Sequence, residues 1–258
     1  MRPESAPVRD DEQPDALVDP LDGDPRLPEH FGAAWPAIDG FHTMLRDQGV
    51  LRGLVGPREV ARLWERHLVN SAAVVPFLPD TGTIVDVGSG AGLPGIVVAA
   101  MRPDAEVVLL EPMERRTDWL SEVVETLGLT NARVLRGRAE DQVGVLRADA
   151  VTARAVAALD KLYPWTLPLL RVGGRLVALK GGRARDEADA AVEVGERFGG
   201  GPATIEVAPT FPGLEPTSVV LVTRTGAGSA PAPAPARVSR GTEGRSRRPR
   251  RSTKGQGA

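Results

Sequence analysis

Apolar residues recur at three- and four-residue steps from Pro28 onward, at Phe31, Trp35, Ile38, Phe41 and Leu45. That is the spacing of one buried helix face. After a glycine-containing connection at 49–57, Val60, Leu63, Trp64, Leu68, Ala72 and Val75 restore the period until Pro76 and Pro79 end it. From Thr83 the pattern changes to short β-prone runs separated by helical stripes. Strands are predicted at 83–87, 106–110, 133–135, 150–152 and 175–179, with a final pair at 204–207 and 218–223 expected to be antiparallel neighbours. Helices are predicted at 93–101, along the Trp119, Leu120, Val123, Val124, Leu127 stripe that Gly128 ends, at 159–170 (broken by Pro), and at 185–198. Strands alternating with helices imply a mostly parallel sheet covered on both faces. No period of 20–50 residues suggests a repeat.

Residues 1–27, rich in Pro and Asp, and the Ala-Pro run and basic tail from Gly226 carry no core-forming pattern. The expected division is therefore a disordered leader at 1–27, N-terminal helices at 28–79, a main domain at 80–225 and a disordered tail at 226–258.

Composition narrows the function classes. With 41% hydrophobic and 26% charged residues the chain can bury a sizeable core. It has no cysteine and three histidines (His30, His42, His67), which excludes disulfides and thiolate chemistry and predicts no metal site. The longest apolar run, 96–101, is far short of the ~20 residues of a membrane span, and the acidic N-terminus is no secretory signal. A soluble cytoplasmic protein is expected. The net charge of −2 conceals an asymmetry: residues 237–258 hold eight basic residues and one acidic, or +7, which leaves 24 basic and 33 acidic before them, or −9. Such a tail suits a polyanionic partner or is simply solvated. Only Lys161, Lys180 and Lys254 of the 32 basic residues are lysines, so the arginine content reflects a general bias.

The chemistry concentrates in Asp86-Val87-Gly88-Ser89-Gly90-Ala91-Gly92-Leu93-Pro94-Gly95. Glycines after a first strand allow a sharp turn and close approach to a ligand, and Pro94 stands where a helix starts. Gly90-x-Gly92-x-x-Gly95 formally matches the dinucleotide fingerprint. An acid two residues before the first glycine and a longer loop argue against NAD and an oxidoreductase. Asp-x-Gly-x-Gly-x-Gly resembles motif I of class I S-adenosylmethionine methyltransferases, in which the acid helps hold the cationic methionine end. Glu111 ends the second strand, placed for ribose hydroxyls or else a loop carboxylate facing water. Arg138-Ala139-Glu140-Asp141 falls where that fold contacts adenine.

Further segments narrow the family: Leu63-Trp64-Glu65-Arg66-His67-Leu68-Val69-Asn70-Ser71, the Leu-Pro-Gly loop ending, Thr152-Ala153-Arg154-Ala155 and Ala178-Leu179-Lys180-Gly181. In this order they resemble the bacterial small-subunit (16S) rRNA guanine-N7 methyltransferase family, the glucose-inhibited division protein B family, over residues 28–224. The resemblance implies an α/β class I S-adenosylmethionine-dependent methyltransferase, with a Rossmann-like seven-stranded sheet, helices on both faces and an N-terminal helical extension. It implies a monomer that takes S-adenosylmethionine as methyl donor and 16S rRNA or the small subunit as partner, and methylates N7 of guanine 527 in the 530 loop. Cofactor contacts are implied at Asp86, Gly88, Gly90, Leu93, Glu111, Ala139, Glu140 and Arg154, RNA contacts at Arg66, Arg138 and Lys180, and positioning of the reacting base at Lys180, Arg154 and His67. From the residues alone, His67 also reads as a core histidine, Arg154 as an ion-pair partner, Arg138 as a solvated loop charge and Trp119 as core. Rival readings are a methyltransferase for another RNA or a small molecule, and an RNA-binding protein without transfer activity. Two stretches depart from the family: Gly53-Leu54-Val55-Gly56-Pro57-Arg58 replaces a Trp-Asn and Asn-Leu-Thr signature, and Glu215-Pro216-Thr217-Ser218 replaces an Arg-His pair.

Overall fold

A computed structural model describes residues 19–209, 211–226 and 228. Seven strands form one sheet: β1 (Gly82–Val87), β2 (Ala105–Glu111), β3 (Ala132–Arg136), β4 (Ala148–Arg154), β5 (Leu170–Lys180), β6 (Thr204–Ala208) and β7 (Thr217–Thr223). Their order is β3-β2-β1-β4-β5-β7-β6. Pairing is parallel from β3 through β5, and β7 runs antiparallel to both β5 and β6. Because successive side chains of a strand point to opposite faces, β1 and β2 divide their apolar residues between two cores. Ile84, Val107 and Leu109 face one core, and Val85, Val87, Val108 and Leu110 the other.

The first core lies beneath the N-terminal helices α1 (Leu27–Phe31) and α2 (Trp35–Gln48), together with α4 (Gly95–Met101) and α5 (Glu114–Thr126). The second is covered by α6 (Leu159–Thr166), α7 (Ala184–Ala190) and α8 (Val192–Arg197). Between α2 and β1, the stretch expected as one helix is a 3-10 turn (Val60–Arg62), a π-helical segment (Leu63–Val69) and the short α3 (Asn70–Ala72). π-helical turns are rare and cluster at functional sites.

The expected leader boundary at residue 27 differs from the structure, which describes residues from Asp19 on. Leu21 and Leu27 are buried in the first core, and the buried Asp19 carboxylate accepts the backbone N–H of Leu21 (3.0 Å) and of Trp64 (2.7 Å). An aspartate that satisfies two buried donors ties this stretch to the π-helical segment, a long-range partnership invisible in local composition. Residues 1–18 and the basic tail beyond Gly228 lie outside the described residues. Two other differences are local. The helix expected at 185–198 breaks at Ala191, and Gly195 of α8 lies against the Tyr163 ring. β5 begins five residues before its predicted start, at Leu170, and passes through a Gly173-Gly174 pair where its register against β4 shifts; such bulged glycines leave no β signal in a sequence.

Candidate active site

β1 and β4 are neighbours although their connections leave toward opposite edges of the sheet. The crevice beyond their carboxyl ends is therefore the topological switch point where open α/β sheets bind ligands. The glycine loop leaves β1 there, with Gly88, Gly90 and Gly92 all at positive φ (72°, 56° and 106°). Gly95 opens α4, and a Cβ on it would strike Leu109 and Asp86. The Trp119 indole, wholly buried in the core as its pattern suggests, donates to the Ala91 carbonyl at 2.9 Å and fixes the loop from below.

Two buried acids flank the loop. Asp86 Oδ2 accepts the Gly95 N–H at 3.1 Å, whereas Oδ1 is buried with no hydrogen-bond partner. Burial pushes this carboxyl up to about 7, opposed first by hydrogen bonding from Ser89 and the Gly95 N–H and then by the Arg154 charge. Glu111, 2% exposed, is no water-facing loop carboxylate: Oε2 accepts the Gly90 N–H (2.9 Å) and Oε1 the Met113 N–H (3.0 Å). A carboxylate offers about four acceptor sites, so Glu111 braces both loops and keeps lone pairs for further donors.

Above these acids lies a cleft of about 520 Å³, lined by Gly88–Ala91, Leu93, Glu111, Arg116 and Arg154 among others. Its outer wall includes Leu54, Val55 and Gly56, from the stretch that replaces a family signature. A second cleft of about 680 Å³ adjoins it, lined by Arg66, Asn70, Lys180, Arg183, Glu187 and Thr217. Both clefts share Glu59, His67, Arg154, Ala155 and Val156.

That shared wall is a hydrogen-bonded chain. Arg154 Nη2 lies 2.8 Å from His67 Nδ1, and Nη1 donates to the Arg66 carbonyl (2.9 Å) and to Asn70 Oδ1 (3.4 Å). His67 Nε2 lies 2.8 Å from Glu59 Oε2. Guanidinium nitrogens only donate, so Nδ1 is the acceptor and the ring proton sits on Nε2, facing the carboxylate. Burial first, then the Arg154 charge, hold His67 below the ordinary imidazole range, with Glu59 acting in the opposite sense. Burial also lowers Arg154 to about 10, so it stays cationic near neutrality. The next residue, Ala155, takes φ 54°, a left-handed conformation unusual for a side-chain-bearing residue and typical of strain held at functional sites.

The structure thus brings together Gly88, Gly90, Leu93, Glu111 and Arg154 around one cleft, and Arg66, His67, Arg154 and Lys180 around the other, while Asp86 does not line either cleft and lies buried against Gly95 at the start of α4. Lys180 Nζ is engaged with the Ala157 carbonyl (2.5 Å) and Glu187 Oε2 (2.8 Å). Among the described residues lining the clefts, Arg138, Ala139 and Glu140 do not figure: Arg138 is exposed, Ala139 is buried in the second core, and Glu140 opens a 3-10 turn after β3. Glu59, Asn70 and Thr217 are site residues the sequence reading missed. At 100° per residue an unbroken α-helix would turn Glu59 about 80° away from His67, and only the 3-10 and π turns bring them together. Asn70 is held by Thr217 Oγ1 at 3.1 Å, inside the second departure from the family pattern.

No helix among the described residues is long and apolar enough to cross a membrane, and none of their His, Asp and Glu side chains cluster as a metal site. The strand order, the reversed last strand and the glycine loop at the switch point define a class I S-adenosylmethionine-dependent methyltransferase fold. Two similar solved structures share it: cofactor-bound Rv0187 from MTB (TM-score 0.51, 18% identity, 73% of this chain and 89% of that one) and a putative O-methyltransferase from Klebsiella pneumoniae (TM-score 0.50, 14% identity, 74% and 90%). The model of the GidB family, rRNA small subunit methyltransferase G, matches residues 35–198, and the chain belongs to that family. Curated relatives named ribosomal RNA small subunit methyltransferase G include one from Thermobifida fusca, 58% identical over 163 residues (63% of this chain, 69% of the relative). Another, from Bifidobacterium longum, is 44% identical over 218 residues (80% and 99%), and one from Salinispora arenicola is 50% identical over 218 residues (82% and 90%). The chain is accordingly a methyltransferase, and the oxidoreductase alternative falls.

Proposed function

We propose that this chain transfers the methyl group of S-adenosylmethionine to N7 of a guanine in the 530 loop of 16S rRNA, acting as a cytoplasmic monomer on the small subunit or its RNA. The observation that carries this reading is the pair of clefts meeting at one wall: a nucleoside-sized cleft over the glycine loop, and a second, more cationic one opening beside it. Its cofactor part rests on a fit with the residues present. The unpartnered Asp86 Oδ1 suits a cationic ammonium, the spare lone pairs of Glu111 suit ribose hydroxyls, and the side-chain-free Gly88 and Gly90 permit close backbone approach. The bound cofactor supplies an electrophilic methyl on a sulfonium.

Guanine N7 carries a free lone pair, so its attack requires no prior deprotonation. The site agrees: both ring nitrogens of His67 are engaged, one as acceptor to Arg154 and one as donor to Glu59, which leaves no free base on the wall. Catalysis then comes from alignment of the reacting atoms. Arg154, fixed at three points, presents cationic N–H groups between the clefts, suited to the guanine O6 edge. Arg66 and Arg183 are exposed at the second cleft and suit RNA phosphates, which fix register without reading sequence. Lys180 serves by holding the loop after β4 against α7 through Ala157 and Glu187.

The test is transfer of labelled methyl to small subunits or 16S rRNA lacking the modification, followed by cleavage at N7-methylguanine. Label on a single guanine of the 530 loop is expected. Absence of label while S-adenosylhomocysteine still binds would assign the substrate elsewhere.

A further inference from the structure

Glu59 lies on the wall shared by both clefts, yet nothing in the transfer reaction as described above uses it. Its Oε2 sits 2.8 Å from His67 Nε2, and its Oε1 forms a 3.5 Å ion pair with Arg66. His67 in turn offers Nδ1 to Arg154 at 2.8 Å. An imidazole whose proton moved to Nδ1 would set one donor against another at that contact. A ring protonated on both nitrogens would add like charges facing each other.

We propose that Glu59 is a positioning residue for methyl transfer: it keeps the His67 proton on Nε2, so that Nδ1 stays an acceptor and fixes the Arg154 guanidinium between the two clefts. Carboxylate partners set histidine tautomers in the same way at many metal and catalytic sites. The kinetic part of this inference rests on the proposed transfer reaction, whereas the tautomer part does not.

The charged groups that face the ring are Glu59 and Arg66 from its own N-terminal segment and Arg154 from β4, with Asp86 beyond Arg154. Protonation of His67 breaks its bond to Arg154, so activity should fall on the acid side as this ring titrates. The Glu59 charge favours the imidazolium. Its removal therefore moves that acid limb to lower pH, provided the hydrogen bond to Nε2–H survives. Glu59→Gln meets this condition, because an amide oxygen still accepts. Glu59→Ala does not: it frees the ring to exchange tautomers and lets Arg154 drift.

The test uses the full chain labelled with 15N-histidine, with His67 assigned by comparison with His67→Asn, alongside single-turnover methyl transfer over a pH series. Expected in the wild type is an Nε2–H ring. Glu59→Ala should give a mixed or Nδ1–H ring and lower kcat/KM between about tenfold and a hundredfold, the range that misplacement of a site group by about an ångström produces. Glu59→Gln should keep the Nε2–H ring, recover most of the lost rate, and show an acid limb shifted to lower pH together with the His67 titration. A merely structural glutamate would lower thermal stability without moving that limb. An Nδ1–H ring in the wild type, an unchanged tautomer in Glu59→Ala, or a Glu59→Ala rate within about twofold of the wild type would overturn the proposal. Should the wild type methylate no guanine, the proposed function fails, and the tautomers alone decide the role of Glu59.

Discussion

At the scale of single residues, the site is built from carboxylates that the fold has taken out of water. Asp86 is 1% exposed, and burial lifts its carboxyl from the ordinary 3.8 to about 7. The folded chain therefore binds this proton more tightly than the unfolded chain does. By linkage, the contribution to stability is complete below the unfolded value and is lost as pH climbs from 3.8 to about 7. Asp86→Asn keeps an acceptor for the Gly95 N–H and removes the titration. It should flatten this part of the stability curve and leave the ligand-free protein more stable than wild type above the window, because a neutral amide carries no buried charge there. Urea unfolding across the window checks this. If Asp86 holds the methionine end as proposed, S-adenosylhomocysteine titration of the same variant should show weaker binding, since a neutral amide replaces the ionisable carboxyl. Stability and ligand affinity are expected to move in opposite directions, as they do where a site stores an unpaired group for its ligand.

At the scale of elements, the π-helical segment Leu63–Val69 shapes the wall shared by the two clefts. Its wide turns carry Arg66 and His67 to the clefts while Leu63, Trp64, Leu68 and Val69 stay buried. Asp19, which lines neither cleft, holds the start of this segment through the Trp64 N–H. Asp19→Ala leaves two buried backbone donors, those of Leu21 and Trp64, without their acceptor. A loss of about 1–3 kcal/mol in urea unfolding is expected. If the segment sets the wall as described, methyl transfer should slow as well, although Asp19 lines neither cleft. A variant with normal transfer and reduced stability would confine Asp19 to a structural role.

At the scale of the whole molecule, charge is divided along the chain. Residues 1–236 sum to −9 and residues 237–258 to +7. A net-negative body gains little from long-range attraction to RNA, so non-specific affinity falls to local cationic groups and the tail. Truncation after Gly228 should flatten the dependence of RNA affinity on salt, because fewer counterions are released. Binding isotherms at several salt concentrations read this slope. An unchanged slope would show that the tail has no share in RNA binding and that Arg66, Arg154 and Arg183 at the clefts suffice.

Much of this molecule is legible in its sequence because the relevant signals are local. Period-two and period-3.6 apolar patterns fix the backbone state of a segment and the face it buries, so the strands and most helices could be read directly. The glycine loop and the acids Asp86 and Glu111 at the ends of β1 and β2 follow from turn chemistry within ten residues of a strand. The tertiary structure alone decided what depends on distant partners. Glu59, His67 and Arg154 form one wall only because the sheet order brings β4 beside β1 and the N-terminal helices pack over the same edge. Likewise, Lys180 is spent on Ala157 and Glu187, and Asp19 serves Trp64 across 45 residues. A residue's neighbours along the chain specify its conformation. Which side chains meet across a cleft is set by packing among elements, and no local pattern records it.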